Sequence, residues 1–158
     1  MRIIAGEARG LPLTRPPEGV RPTMDRVRGA IFSSLGDLVP GAKVLDLFCG
    51  AGGMGIEALS RGAASATFVD LNAKSVAVTK ENLRRAKLTG NVQTMDALKF
   101  IELYASDGYD IIFADPPYAK WPGDRDFATE LLQMPQLKAA LNPGGIVEIG
   151  RASCRERV

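Results

Sequence analysis

The stretch that decides the fold is Asp46-Leu47-Phe48-Cys49-Gly50-Ala51-Gly52-Gly53-Met54-Gly55. It follows an apolar run, Val44–Phe48, that is typical of a buried β-strand, and it leads into a helical pattern over residues 53–61. The spacing Gly50-x-Gly52-x-x-Gly55 is the glycine fingerprint of a strand–turn–helix that binds a nucleotide cofactor. The stretch therefore predicts a Rossmann-like α/β fold with its ligand at the carboxyl end of the first core strand.

Strands and helices alternate outward from this loop. The patterns predict a helix that has Thr23 as its N-cap and an apolar face, and further helices over 72–88, 97–105, 127–132 and 136–141. The residues expected on the apolar face of the first helix are Val27, Ile31, Leu35 and Leu38. Further strands are predicted at Ala66–Val69, Asn91–Met95, Tyr109–Ala114 and Ile146–Ile149, the last after a turn at Pro143-Gly144-Gly145. This alternation predicts a parallel sheet with helices on both faces.

The 158 residues suggest one domain, preceded by a short arm. We expect a β-hairpin and basic arm over 1–22, a cofactor-binding domain over 23–149 and a separate tail over 150–158. The absence of histidine excludes Ser-His-Asp and Cys-His triads and His-ligated metals. Two cysteines, Cys49 and Cys154, are too few for a zinc site or a disulfide framework, and no apolar run reaches the ~18 residues of a membrane span. We expect a cytoplasmic, metal-free monomer.

Three aspartates at predicted strand ends bear on the choice of cofactor. Asp70 follows the second strand, where a carboxylate can accept hydrogen bonds from ribose hydroxyls, although it could instead cap the next helix. Asp46 suits a ligand with an ammonium group and would repel a pyrophosphate. Asp96 is placed for an adenine amino group or, alternatively, as the N-cap of the helix over 97–105. The glycine loop by itself fits both NAD and S-adenosylmethionine, but these carboxylates favour S-adenosylmethionine.

The tetrapeptide Asp115-Pro116-Pro117-Tyr118 follows the fourth predicted strand and suggests the chemistry. The two prolines fix φ and lack backbone donors, so their carbonyls and the Asp115 carboxylate form a group of acceptors. Such a group suits an amino nitrogen with two N–H donors, and Tyr118 can stack on a planar base. Cytosine-C5 methylation needs a cysteine at this loop, so nitrogen is the favoured target. A plain turn is the alternative explanation.

The amino-terminal segment is rich in arginine, with six arginines against three acidic residues over 1–28. Such an arm is compatible with phosphate contact or with a solvated surface.

Taken together, these motifs resemble the RsmD family of class I methyltransferases. The resemblance rests on Met1-Arg2-Ile3-Ile4-Ala5-Gly6, Arg21-Pro22-Thr23-x-Asp25-Arg26-Val27-Arg28, the glycine loop, Gly55-x-Glu57-Ala58-Leu59-Ser60-Arg61-Gly62 and Asp115-Pro116-Pro117-Tyr118. It implies methyl transfer from S-adenosylmethionine to the N2 of a guanine in 16S rRNA, within the small ribosomal subunit or an assembly intermediate.

The resemblance also implies roles for individual residues. Asp46, Phe48, Gly50 and Gly52 would line the methionine end of the cofactor, Asp70 and Leu71 its ribose, and Asp96 and Ala97 its adenine. The residues from Asp115 to Tyr118 would hold the guanine amino group. Arg9, Arg21, Arg26 and Arg28 would face RNA phosphates, or order the arm over the cofactor.

Two features depart from the family. Gly29 stands where the family usually has glutamate, and only five core strands are visible where seven are usual. We therefore expect a truncated chain that lacks the last two strands, with residues 150–158 foreign to the family. The alternatives are an adenine-N6 or cytosine-N4 DNA methyltransferase, a protein glutamine methyltransferase, a NAD-binding module and an inactive RNA-binding fragment.

Overall fold

The structure is a computed structural model that describes residues 1–19, 23–104, 106, 108–117 and 121–150. The sheet within these residues has five parallel strands in the order β3-β2-β1-β4-β5. They are β1 (Lys43–Leu47), β2 (Ser65–Asp70), β3 (Asn91–Thr94), β4 (Tyr109–Ala114) and β5 (Leu141–Ile149). The central position of β1 places the glycine loop in the middle of the carboxyl edge, where ligands of such sheets bind.

Helices cover both faces of this sheet. They are α1 (Asp25–Leu35), α2 (Gly53–Ser60), α3 (Ala73–Ala86), α4 (Ala97–Tyr104), α5 (Phe127–Gln133) and α6 (Pro135–Ala139). Side chains of α1, α2 and α3 pack in one apolar core, and those of α4, α5 and α6 pack in another. Along β1, Val44 belongs to the first core and Leu45 to the second, since alternate side chains of a strand point to opposite faces. The predicted α/β architecture is confirmed.

Helix α1 differs from its prediction at both the cap and the buried face. Met24 rather than Thr23 stands at the N-cap, and no side chain caps the helix. Val27 and Leu38 are 43% and 49% exposed, whereas Arg28 is buried on the face expected to be apolar. Leu38 turns outward because α1 ends at Leu35 and a short 3-10 turn, Gly36–Leu38, follows.

Strand β5 begins earlier than predicted. Leu141 pairs with Tyr109 and Ile146 pairs with Ile111, so four residues on β5 stand opposite one on β4. The residues Pro143-Gly144-Gly145, predicted as a turn before the strand, therefore lie within β5 at an irregularity of the pairing, where Gly144 has the positive φ, 79°, of a turn residue. Asn142 Nδ2 donates to Asp110 Oδ1 at 3.1 Å and ties this irregular segment to β4.

The amino-terminal arm folds back on itself and packs onto α2. An antiparallel bridge joins Arg2 to Pro12, and the Ile3 amide donates to the Leu11 carbonyl at 3.0 Å. Ile3 and Leu13 are buried, so the arm adds apolar side chains to the first core. None of the helices in the described ranges has the length and apolar character that a membrane crossing requires.

Candidate active site

The carboxyl edge of the sheet brings together side chains that are far apart in the sequence. Leu47 pairs with Ala114 across the β1–β4 ladder, so the glycine loop and Asp115 leave the sheet side by side. Leu47 also pairs with Val69, which puts Asp70 on the other flank of the loop. Asp96 follows β3, beyond Asp70. The predicted cofactor residues Asp46, Asp70 and Asp96 and the first residue of the predicted catalytic tetrapeptide, Asp115, therefore lie at one edge.

The glycine loop is held in an unusual backbone conformation. Gly52 has φ 83° and is the N-cap of α2, and a Cβ atom there would lie 2.9 Å from Thr79 Cγ2. Phe48 has φ 55°, which is uncommon for a residue with a side chain and often marks a functional site. Thr79 Oγ1 donates to the Gly50 carbonyl at 2.7 Å. The loop is thus shaped by its glycines and by the contact with Thr79 of α3.

Asp46 is a buried carboxylate beneath this loop. Its Oδ2 accepts from the Gly55 amide at 2.9 Å, in the first turn of α2. The pKa of Asp46 is raised to about 8, and burial is the largest cause. The hydrogen bond from Gly55 lowers this pKa, and the negative charges of Asp115 and Asp70 raise it. A cationic ligand at this edge would stabilise the ionised form of Asp46.

Replacement of Asp46 by asparagine is expected to remove a pH dependence of stability. The Asp46 pKa rises from 3.8 to about 8 on folding, so the folded state binds the extra proton between these values. This carboxyl therefore makes the free energy of unfolding fall as the pH rises through that window, with no further loss above about pH 8. Urea denaturation at about pH 5 and about pH 9 should show that Asp46→Asn gains stability relative to the wild type only at the higher pH. An equal difference at both pH values would contradict the assignment.

Asp70 ties the glycine loop to the end of β2. Its Oδ2 accepts from the Gly50 amide at 2.9 Å and its Oδ1 from the Asn72 amide at 2.9 Å. The cap of α3 is Asn72, whose side chain accepts from the amides of Lys74 and Ser75. Asp70 therefore does not cap α3, and this alternative role is excluded. Leu71, beside it, is 69% exposed.

Asp96 caps α4, which is the alternative role considered for it. Its Oδ1 accepts from the Lys99 amide at 3.0 Å in the first turn of α4, and the neighbouring Ala97 is buried. Asp96 also lines a groove of about 450 Å³, together with Leu98, Lys99, Glu102, Arg125 and Met134. The cap and the predicted contact with a ligand are compatible.

The tetrapeptide that was predicted to be catalytic begins where β4 ends. Asp115 and Pro117 are exposed, Pro116 is buried, and Tyr118 lies outside the described residues. Asp115 Oδ2 accepts from Thr23 Oγ1 at 3.1 Å. Thr23 was predicted only as a helix cap, so its contact with this carboxylate is a finding of the structure.

The arginines predicted to face RNA divide into three groups. Arg9 and Arg26 are exposed, and Arg21 lies outside the described residues. Arg28 is fully buried, so the prediction that it faces RNA phosphates is corrected. Its guanidinium donates to Asp25 Oδ1 at 3.1 Å, to the Arg2 carbonyl and, at 3.4 Å, to Glu57 Oε1. These contacts match the second role considered for it, the ordering of the arm.

Glu57 is a functional residue that the sequence analysis missed. Its buried carboxylate accepts from the Ile4 amide at 2.9 Å and the Ala5 amide at 3.1 Å, and Arg61 Nε donates to it at 2.9 Å. Together with Arg28, these contacts make Glu57 the anchor of the arm on α2. The sequence does contain a signal for this role, because Glu57 is the one charged residue in the otherwise apolar run 53–59.

A second missed residue is Phe127, at the start of α5. Its ring meets that of Phe48 edge-on, with the centroids 5.9 Å apart. The Arg125 guanidinium lies 4.4 Å from the centroid of the Phe127 ring. Within the described ranges, no three His, Cys, Asp or Glu side chains are grouped so that they could hold a metal ion.

Comparison with known proteins identifies the family. The model of the family described as conserved hypothetical protein 95 matches residues 1–156. Ribosomal RNA small subunit methyltransferase D of Escherichia coli strain K12 is 37% identical over 123 residues, which are 76% of this chain and 61% of that protein. The chain thus spans about three-fifths of the length of this relative.

Solved structures extend the match to the fold. Hypothetical protein TTHA0928 of Thermus thermophilus superposes with a TM-score of 0.83 at 30% identity, over 98% of this chain and 87% of that one. A SAM-dependent methyltransferase from Agrobacterium tumefaciens superposes with a TM-score of 0.67 at 25% identity, over 84% of this chain and 45% of that one. The class I methyltransferase fold that the resemblance to the RsmD family implied is confirmed. The chain belongs to the conserved hypothetical protein 95 family, and its predicted membership of the RsmD family is confirmed.

Proposed function

We propose that this chain transfers a methyl group from S-adenosylmethionine to the exocyclic N2 of a guanine in 16S rRNA. The observation that carries the proposal is the pairing of Leu47 with Ala114, which sets the exposed Asp115 beside the buried Asp46 and the glycine loop. An acceptor for an amino group and an acidic site for a cationic cofactor thereby become neighbours. The similarity to an RNA methyltransferase of the small ribosomal subunit supports this choice of substrate.

The residues of the site fit S-adenosylmethionine better than NAD. When bound, S-adenosylmethionine supplies an electrophilic methyl group on a positively charged sulfur. Asp46 would attract its ammonium group, and Asp70 would accept from its ribose hydroxyls while it holds the glycine loop. Asp96 would accept from its adenine amino group. The negative charges of Asp70 and Asp115, which lie near the buried Asp46, would oppose the pyrophosphate of NAD.

The protein's part in the reaction is to hold the amino nitrogen. The lone pair of a guanine amino group is delocalised into the ring, which makes the nitrogen a weak nucleophile. The Asp115 carboxylate and the Pro116 carbonyl would accept its two N–H donors and aim the lone pair out of the ring plane. Tyr118 would stack on the base. Catalysis of this kind rests on position and electrostatics, in keeping with a chain without histidine.

The partner that we propose is the small ribosomal subunit or an assembly intermediate, approached by a cytoplasmic monomer. The exposed Arg9 and Arg26 would contact RNA phosphates, and Arg21 is proposed for the same role. Transfer of label from methyl-labelled S-adenosylmethionine to small-subunit particles tests the proposal. Digestion of the RNA to nucleosides should yield labelled N2-methylguanosine, and label confined to methylated adenosine or cytidine would overturn the choice of base.

Thermal unfolding should separate the two cofactor classes. At about 100 times its dissociation constant, a ligand stabilises the folded state by about 2.7 kcal/mol, which corresponds to a rise in Tm of roughly 5–10 °C for a domain of this size. We expect this rise with S-adenosylmethionine and none with NAD. The variant Asp70→Ala should lose the rise, whereas Asp37→Asn, on an exposed turn, should keep it. Stabilisation by NAD alone would rule out the methyltransferase.

A further inference from the structure

A side-chain hydrogen bond links the segment before α1 to Asp115. Thr23 Oγ1 donates to Asp115 Oδ2 at 3.1 Å, across 92 residues of sequence. The threonine hydroxyl is the donor of this hydrogen bond and the carboxylate oxygen is the acceptor. This bond connects residues before α1 to the carboxylate proposed to hold the substrate.

The backbone of Gly150 lies against the other carboxylate oxygen of Asp115 and limits where this oxygen can move. A Cβ atom placed on Gly150 would lie 2.4 Å from Asp115 Oδ1, so the carboxylate packs against a residue that has no side chain. The Gly150 amide donates to the Ala114 carbonyl at 2.8 Å, which holds Gly150 in place next to β4. The Asp115 carboxylate therefore lies between the Thr23 hydroxyl and the Gly150 backbone, and its rotation is restricted.

Thr23 lies just before α1, the helix whose Arg28 reaches the buried charges beneath the arm. It immediately precedes Met24, whose carbonyl accepts the first helical hydrogen bond of α1 from the Arg28 amide at 2.9 Å. The Arg28 guanidinium pairs with Glu57 on α2, where both side chains are 1% exposed. Contacts thus link the arm through Glu57 and Arg28 to Met24, the residue that follows Thr23.

We propose that Thr23 is a positioning residue, which holds the Asp115 carboxylate in the orientation that accepts the substrate amino group. The inference rests on the proposed function and adds to it Thr23, a residue just before α1. Thr23 acts through Asp115 and not through the cofactor. Its loss therefore lowers kcat and leaves both the KM for the particle and the affinity for S-adenosylmethionine unchanged.

The test compares Thr23→Val, Thr23→Ser and Thr89→Val. Valine keeps the shape of threonine and removes the hydroxyl, serine keeps the hydroxyl, and Thr89 is an exposed threonine between α3 and β3. A hydrogen bond to a charged group is worth enough to predict a loss in kcat of roughly 10- to 100-fold for Thr23→Val. Thr23→Ser should recover to within about 3-fold of the wild type, and Thr89→Val should match the wild type.

A second readout does not depend on catalysis. With aspartate labelled with carbon-13 at Cγ, the Asp115 signal is assigned by its absence from Asp115→Asn. Thr23→Val should shift this signal, and Thr23→Ser and Thr89→Val should leave it in place. An unshifted signal or an unchanged kcat in Thr23→Val overturns the proposal, as does failure of serine to restore kcat. A wild-type protein that binds S-adenosylmethionine but labels no RNA removes the proposed function, and the carboxyl signal still shows whether Thr23 holds Asp115.

Discussion

Replacement of Asp115 by alanine is expected to lower the rate of methyl transfer to small-subunit particles by roughly 100- to 1,000-fold, as loss of one preorganised polar group at a reacting centre typically does. Asp115 is exposed at the end of β4, beside the loop that would hold the cofactor. Without it, the amino group loses a charged acceptor and its lone pair is no longer aimed. The measurement is single-turnover transfer of labelled methyl groups with saturating cofactor.

The same variant should still bind the cofactor. The negative charge of Asp115 lies near Asp46 and would attract the cationic cofactor, so its removal should weaken the affinity for S-adenosylmethionine. The loss should be modest, because Asp46 and Asp70 remain. Asp115→Asn, which keeps one acceptor oxygen, should fall between alanine and the wild type, and Asp37→Asn should match the wild type. Equal labelling by Asp115→Ala and the wild type would remove Asp115 from the mechanism.

Replacement of Glu57 by alanine is expected to cost about 3–5 kcal/mol of the free energy of unfolding, which is typical for the loss of one partner from a buried ion pair. Glu57 is 1% exposed and accepts from two backbone amides of the arm as well as from Arg28 and Arg61. Its removal leaves the fully buried guanidinium of Arg28 without this counter-charge and frees the arm from α2. The measurement is the midpoint of urea denaturation. The dependence of the free energy of unfolding on urea concentration should also be compared, because it reports the surface exposed on unfolding.

An exposed ion pair provides the matched comparison. Glu81 pairs with Arg84 at 2.6 Å on the surface of α3, so Glu81→Ala should change the urea midpoint little, because solvent screens such pairs. Glu57→Gln, which keeps the size of the side chain but not its charge, should fall between alanine and the wild type. The anchoring role would be refuted if Glu57→Ala and Glu81→Ala had the same small effect.

The sequence alone determined the class of fold and the position of the site. The glycine loop, the Asp70 that follows β2 and the apolar strand before Asp115 are local patterns, and parallel strands necessarily end at one edge. The bounds predicted for the strand Tyr109–Ala114 are those observed, and the helix predicted over 53–61 is α2, because continuous apolar runs and flanking glycines define both. Membership of the RsmD family was likewise predicted from short sequence motifs.

Only the tertiary structure decided the roles of Arg28, Glu57 and Thr23. Each has its partner far away in the chain, at separations of 29 residues for Arg28 with Glu57 and 92 for Thr23 with Asp115. An arginine near the amino terminus has the same local signature whether it is solvated or buried, and only the buried carboxylate from α2 makes burial favourable. The irregular pairing of β5 likewise depends on where its neighbour β4 begins, because a strand's register is set by the strand with which it pairs.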